Sequence, residues 1–221
     1  MRSKLLHFFS LIGLVVGLSS CTVEAGAQPQ IKDAPVPKGA SELVVGGGCF
    51  WCVEALFEDL KGVYAVEAGY AGGPSNANYQ NIGDGAEVIK IFYDPKVAST
   101  ADLFRIFFVA HDPTTLNRQG PDYGTQYRSV VFFKGAEQQA LAKKILVEAQ
   151  KQYRDRIVTT FEPLKNYVRA EEYHQNYFVK YERATPAERA RMNAGYCSAI
   201  IEPKVRKFRE KYLSKLKKGT D

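Results

Sequence analysis

Apolar positions begin to recur in a structured way near residue 42. Leu43-Val44-Val45 is a short apolar run stopped by Gly46-Gly47-Gly48, the pattern of a buried strand ending in a permissive turn. Val53, Leu56, Phe57 and Leu60 then recur at i, i+3, i+4 and i+7, which predicts a helix closed by Gly62. A second strand is predicted over 63–70, a Gly/Asn/Pro loop over 71–85, and the clearest strand of the chain over 86–93, ended by Asp94-Pro95. Ser99 and Asp102 have the spacing of a capping box opening a helix that carries Leu103, Phe104, Phe107 and Phe108. After a polar loop over 111–126 the pattern predicts a strand over 127–134, a helix over 136–153 and a strand over 157–161. Residues 170–181 read as helical and aromatic-rich, and 184–201 as irregular. Residues 203–218 read as a basic helix with Val205, Phe208, Tyr212 and Leu216 nearly on one face. This order implies an α+β fold: a two-layer sandwich with a mixed β-sheet, ferredoxin-like, with a long irregular C-terminal segment.

Composition narrows the classes. A chain of 221 residues with 45% hydrophobic content excludes collagen-like, disordered and coiled-coil proteins. The net charge of +6 raises the question of a nucleic-acid partner, but residues 204–221 carry eight basic and two acidic side chains and account for all of it. No nucleic-acid partner is expected. The basic helix reads as a solvated packing helix, the alternative being contact with anionic lipid.

Residues 1–20 have a basic start at Arg2 and Lys4 and an apolar run from Leu5 to Leu18, too short to span a bilayer and fitting a secretory leader. Leu18-Ser19-Ser20-Cys21 is similar to the lipobox of bacterial lipoproteins, which implies acylation at Cys21, with cleavage after Ala25-Gly26-Ala27 as the alternative. The division expected is a lipoprotein signal peptide over 1–20, a tether over 21–40, the functional globular domain over 41–203 and a basic tail over 204–221. The expected location is the bacterial envelope, anchored to a membrane, and the expected state is a monomer.

Two features carry chemistry. Cys49 follows three glycines at the predicted start of a helix, where free backbone N–H groups and the helix dipole favour an anion, so its thiol pKa is expected to be lowered. Cys52 follows one turn later, and Cys-x-x-Cys alone fits redox exchange or metal ligation; no second pair exists for zinc, so no metal is expected. Glu87 falls on the same face of its strand as Ile89, Ile91 and Tyr93. If that face is the core, desolvation keeps the carboxyl neutral and able to donate a proton; in a slipped register the acid is exposed.

Gly48-Cys49-Phe50-Trp51-Cys52-Val53-Glu54 resembles the GCFWxxE signature of peptide-methionine (S)-S-oxide reductases, the MsrA family. Later blocks look like that family's in the same order: Gly69-Tyr70-Ala71-Gly72-Gly73, Ala86-Glu87-Val88, His111-Asp112-Pro113-Thr114, Gly124-Thr125-Gln126-Tyr127-Arg128-Ser129 and Tyr173-His174-Gln175. The resemblance implies that Cys49 attacks the sulfur of methionine sulfoxide, free or in oxidised proteins and peptides. It makes Glu87 the acid, Tyr79 and Tyr127 the donors to the sulfoxide oxygen, and Asp122 an organiser of the same site. Phe50 and Trp51 would receive the S-methyl group. Cys49 would become a sulfenic acid, resolved by Cys52, Cys197 or both, and an external dithiol such as thioredoxin would restore the enzyme without cofactor or metal. The chain departs from the family at position 52, more often Gly, and at Gly85, often His. His111 and His174 are read as structural. Two other readings compete: a general thiol-disulfide oxidoreductase built on Cys49 and Cys52, and a non-enzymatic tethered binding lipoprotein.

Overall fold

The computed structural model describes residues 35–218, so the leader and Cys21 lie outside the described residues. In chain order the elements are β1 (Ser41–Gly47), α1 (Phe50–Glu58), β2 (Val63–Ala71), β3 (Ala86–Tyr93) and α2 (Thr100–Ala110), then a small hairpin of β4 (Arg118–Gln119) and β5 (Asp122–Tyr123). A 3-10 turn at Thr125–Tyr127 leads into β6 (Ser129–Phe133), α3 (Gly135–Gln150), β7 (Thr160–Pro163) and β8 (Tyr167–Arg169). The C-terminal part comprises α4 (Tyr177–Arg183), α5 (Pro186–Arg189), α6 (Ala194–Tyr196), a π-helical turn at Cys197–Ile201 and α7 (Glu202–Tyr212).

Six strands form one sheet in the order β7-β6-β1-β3-β2-β8, antiparallel throughout except for the β6–β7 pair. The fold is α+β with a mixed sheet, as the apolar pattern predicts. Alternation sorts the central strands: Leu43, Val45, Ile89 and Ile91 face the large core with α1 and α2, while Val44, Ala86, Val88, Val130 and Phe132 form a smaller cluster on the other face. Both faces of β1 and β3 are therefore apolar, which is why Leu43-Val44-Val45 reads as a continuous run.

Helix α1 packs on β1, β2 and β3, and also against α4 and α7. Seven of its nine residues are buried, including Glu54, whose Oε2 accepts the Tyr177 N–H at 3.2 Å. Burying that carboxylate is tolerable because it caps the start of α4.

Several boundaries differ from the sequence reading. The strand expected at 157–161 begins only at Thr160, because the Ile157 N–H donates to Gln150 Oε1 and the Val158 N–H to the Pro113 carbonyl, leaving neither for a ladder. The helix expected from 170 starts at Tyr177, since Asn176 is left-handed at φ 52. The preceding turn is held to β2 by Gln175, whose Oε1 accepts the Ala68 N–H at 3.0 Å and whose Nε2 donates to the Ala68 carbonyl at 3.0 Å. Residues 184–201, read as irregular, contain α5, α6 and the π-helical turn. The basic segment is helical to Tyr212, and its Val205, Phe208 and Leu216 are buried, so it is a packing helix.

Candidate active site

The turn from β1 into α1 places the first thiol. Gly48 has φ +93, and a Cβ there would lie 2.5 Å from Gln119 Cγ, so only glycine serves. Cys49 follows as the N-cap of α1, and the Cys52 N–H donates to the Cys49 carbonyl at 3.1 Å, closing a tight first turn. The two thiols hydrogen-bond each other, and the Tyr196 hydroxyl lies 3.7 Å from the Cys52 sulfur while donating to Asp122 Oδ2 at 2.6 Å. Cys49, Cys52, Asp122, Tyr196 and Lys204 line one cavity of about 230 Å³.

The thiols are not poised as expected. Cys49 is 8% exposed, and burial, the Cys52 partner and the nearby Glu87 carboxyl raise its pKa rather than lower it. The helix N-terminus does not overcome that desolvation. The shared hydrogen bond instead favours the thiolate on Cys52, whose pKa is lowered to about 7 by Cys49 against the burial penalty, with help from Lys204.

Glu87 is buried on the core face of β3, where its alternation places it. Desolvation pushes its carboxyl up to about 8, although the Phe50 N–H donates to Oε2 at 3.0 Å and pulls the other way. That bond ties the acid to the first residue of α1, beside Cys49. At neutral pH Glu87 is predominantly a neutral acid, able to donate.

An aromatic wall stands beside this pair. Trp51 stacks on Tyr177 at 3.8 Å and 8°, and its indole N–H donates to His174 Nδ1 at 3.1 Å. Accepting that bond fixes the His174 tautomer with its proton on Nε2, which lies 3.8 Å from Glu171 Oε2. Burial lowers the His174 pKa to about 4, so the ring is neutral and the bond persists at physiological pH. Its ring also lies 4.9 Å from Phe50 and 4.8 Å from that of Tyr79, which is half exposed. Tyr79 and Tyr127 both have raised pKa values, from burial first and then from the neighbouring Glu87, so both hydroxyls are kept as donors.

The structure thus gathers Cys49, Cys52, Phe50, Trp51, Tyr79, Glu87, Asp122 and Tyr127 around the N-terminus of α1. Cys197 lies in the π-helical turn, fully buried, with its pKa raised to about 12 by burial and then by Cys52. Cys21 lies outside the described residues. His111 is structural: Nδ1–H donates to the Phe107 carbonyl at 2.8 Å and Nε2 accepts from the Ser129 hydroxyl at 2.7 Å. His174, also read as structural, belongs to the wall of the site. Two further residues escaped the sequence reading. Tyr196, which bridges Asp122 and Cys52, directly precedes Cys197 in Gly195-Tyr196-Cys197 and was visible there; Lys204 carried no signal among seven other cations of the tail. Among the described residues no cluster of three or more His, Cys, Asp or Glu is placed to hold a metal ion.

Residues 41–217 match the family described as peptide methionine sulfoxide reductase. A relative from Campylobacter jejuni, strain 81-176, named peptide methionine sulfoxide reductase MsrA, is 46% identical over 75% of this chain and 96% of its own length. Another from Rhodopirellula baltica is 43% identical over 85% and 95%. Among solved structures, reduced Mxr1 from Saccharomyces cerevisiae superposes with a TM-score of 0.62 at 34% identity, covering 68% of this chain and 91% of that one. Methionine sulfoxide reductase A of Corynebacterium diphtheriae gives 0.63 at 30% identity, covering 71% and 85%. With the thiol pair, the buried acid and the aromatic wall in place, these matches make the chain a member of the peptide methionine sulfoxide reductase family.

Proposed function

We propose that the chain reduces the S epimer of methionine sulfoxide, free or within oxidised proteins, with Cys49 as nucleophile and Glu87 as proton donor. The observation that carries this is a neutral buried carboxyl bonded to the first N–H of the helix that Cys49 caps. The S-methyl group packs on Phe50 and Trp51, and the oxygen lies toward Glu87, Tyr79 and Tyr127. As the Cys49 sulfur bonds to the sulfoxide sulfur, the oxygen takes protons from Glu87 and from the Cys49 thiol, the S–O bond breaks and water leaves. A water molecule then attacks the Cys49 sulfur, breaking the S–S bond, releasing methionine and returning a proton to Glu87. Net, the methionine sulfur is reduced and the Cys49 sulfur oxidised to a sulfenic acid.

Cys52 then resolves Cys49. It already hydrogen-bonds Cys49 and ionises near neutral pH, whereas Cys197 is fully buried with a thiol pKa near 12. Cys197 serves as a second thiol that can reach the Cys52 side, and an external dithiol of the thioredoxin kind returns the enzyme to its reduced state by exchange. The leader and Cys21 support an envelope location through lipidation at Cys21; incorporation of labelled palmitate, lost in Cys21→Ser, tests this.

Turnover of separated S and R epimers with dithiothreitol tests the activity, and free thiols counted after one equivalent of sulfoxide test the resolving step. Consumption of S alone, lost in Cys49→Ser, is expected, with an intramolecular disulfide formed in Cys197→Ser but not in Cys52→Ser. Turnover of neither epimer would return the Cys49–Cys52 pair to plain disulfide exchange.

A further inference from the structure

Helix α7 brings one cation to the thiols. Lys204, in its first turn, lines the cavity shared by Cys49, Cys52, Asp122 and Tyr196, and on its other side borders a cleft with Leu56, Lys207 and Phe208. Leu56 lies one turn beyond Cys52, and Val205 and Phe208 are buried, so packing holds α7 across α1 near the level of Cys52. The other ionisable groups facing Cys52 are Cys49 on the same helix, Tyr196 from α6, Cys197 from the π-helical turn, Asp122 from β5 and Glu87 from β3. None of these is a cation, and Lys204 is the only basic side chain among the described residues lining the cavity. A buried thiolate requires such a counter-charge.

We propose that Lys204 is a positioning residue for the second half of the reaction, holding Cys52 as the thiolate that attacks the Cys49 sulfenic acid. This rests on the reading that Cys52 resolves Cys49. In that step the Cys52 sulfur bonds to the Cys49 sulfur, the Cys49 S–O bond breaks, and the departing hydroxide takes a proton from solvent and leaves as water. The Cys52 sulfur is oxidised and the sulfenic sulfur reduced, while the ammonium acts through its field and keeps its protons. The electrostatics agree: Lys204 lowers the pKa of Cys52, and also that of Asp122, so one cation balances both anions at the cavity wall.

The test is rapid mixing of the full chain with one equivalent of methionine sulfoxide, without reductant, across pH 5.5 to 9. Methionine released reports the first step, and thiols lost report the second. Lys204→Met is expected to raise the pH midpoint of disulfide formation by about one unit and to slow it about fivefold at pH 7. Methionine release should change by less than about twofold, because the field acts on the resolving thiol. Lys204→Arg restores the midpoint, and Lys207→Met, outside the cavity lining, moves neither step. An unmoved midpoint in Lys204→Met, in a protein whose Cys52→Ser variant cannot form the disulfide, overturns the role of Lys204 alone. Equal slowing of both steps without rescue by Arg overturns it as well, marking a packing role. A disulfide that persists in Cys52→Ser overturns the resolving assignment and this inference with it.

Discussion

Glu87→Gln separates the chemistry of the acid from its energetic cost. Desolvation sets the folded-state pKa at about 8, against an ordinary value of about 4.3 in the unfolded chain. As pH rises from about 4.3 the unfolded chain ionises first, so the folded state holds an extra proton across the window up to about 8. The Glu87 contribution to stability therefore falls with rising pH through that window and levels off above it. At about 1.4 kcal/mol per pH unit the penalty reaches roughly 5 kcal/mol, with relaxation of the site bringing the measured figure nearer 3. The variant carries no titrating proton at this position. Parent and variant should match within about 1 kcal/mol at pH 4, and the variant should be the more stable by about 3 kcal/mol or more at pH 9. Its turnover should fall by about two to four orders of magnitude, the usual worth of a positioned acid. Urea unfolding of both proteins at pH 4, 6, 8 and 9, with dithiothreitol-driven turnover at pH 7, reads both quantities. Parallel stability curves would refute the reasoning, because Glu87 would then be ionised in the fold and unable to supply the proton.

On the acid side, His111 and His174 have pKa values lowered to about 3 and about 4, chiefly by burial, so the unfolded chain takes up their protons first as pH falls below about 6.5. Their contribution to stability should shrink from pH 6.5 toward pH 4, opposing that of Glu87 over the same window, so the urea midpoint of the parent relative to His111→Gln should decline as pH falls. Gly47→Ala sets a Cβ 2.9 Å from the His111 ring and should cost about 1–3 kcal/mol in thermal unfolding, or the ring must move off Ser129. Tyr196→Phe removes the donor that lowers the pKa of Asp122, so the acid limb of the turnover profile should move to higher pH, with kcat reduced about tenfold.

The elements with strong local periodicity were legible from the chain: β1, α1, β3 and α2 stand where the apolar pattern put them, and the face assigned to Glu87 follows from simple alternation along β3. What was not legible depends on contacts distant in sequence. The Cys49 pKa is raised where a lowering was expected because the helix N-terminus acts locally, whereas the burial comes from distant segments: α4, α7 and the turn of Tyr196, 144 residues beyond Cys52. Trp51 was read as a methyl-binding ring from its motif, yet its orientation is set by His174 and Tyr177, two residues whose side chains look like ordinary core in sequence. The late start of α4 turns on a left-handed Asn176, a conformation that asparagine tolerates but does not announce.

The measurement that bears most directly on the account is the mass of the protein after one equivalent of S methionine sulfoxide, in a Cys52→Ser, Cys197→Ser double variant that cannot close a disulfide with Cys49. One methionine released per chain and one oxygen atom gained are expected, the oxygen located on the Cys49 peptide as a sulfenic acid that a later addition of dimedone converts to a thioether. Methionine released with no gain at Cys49, or a gain at another residue, would contradict Cys49 as the nucleophile.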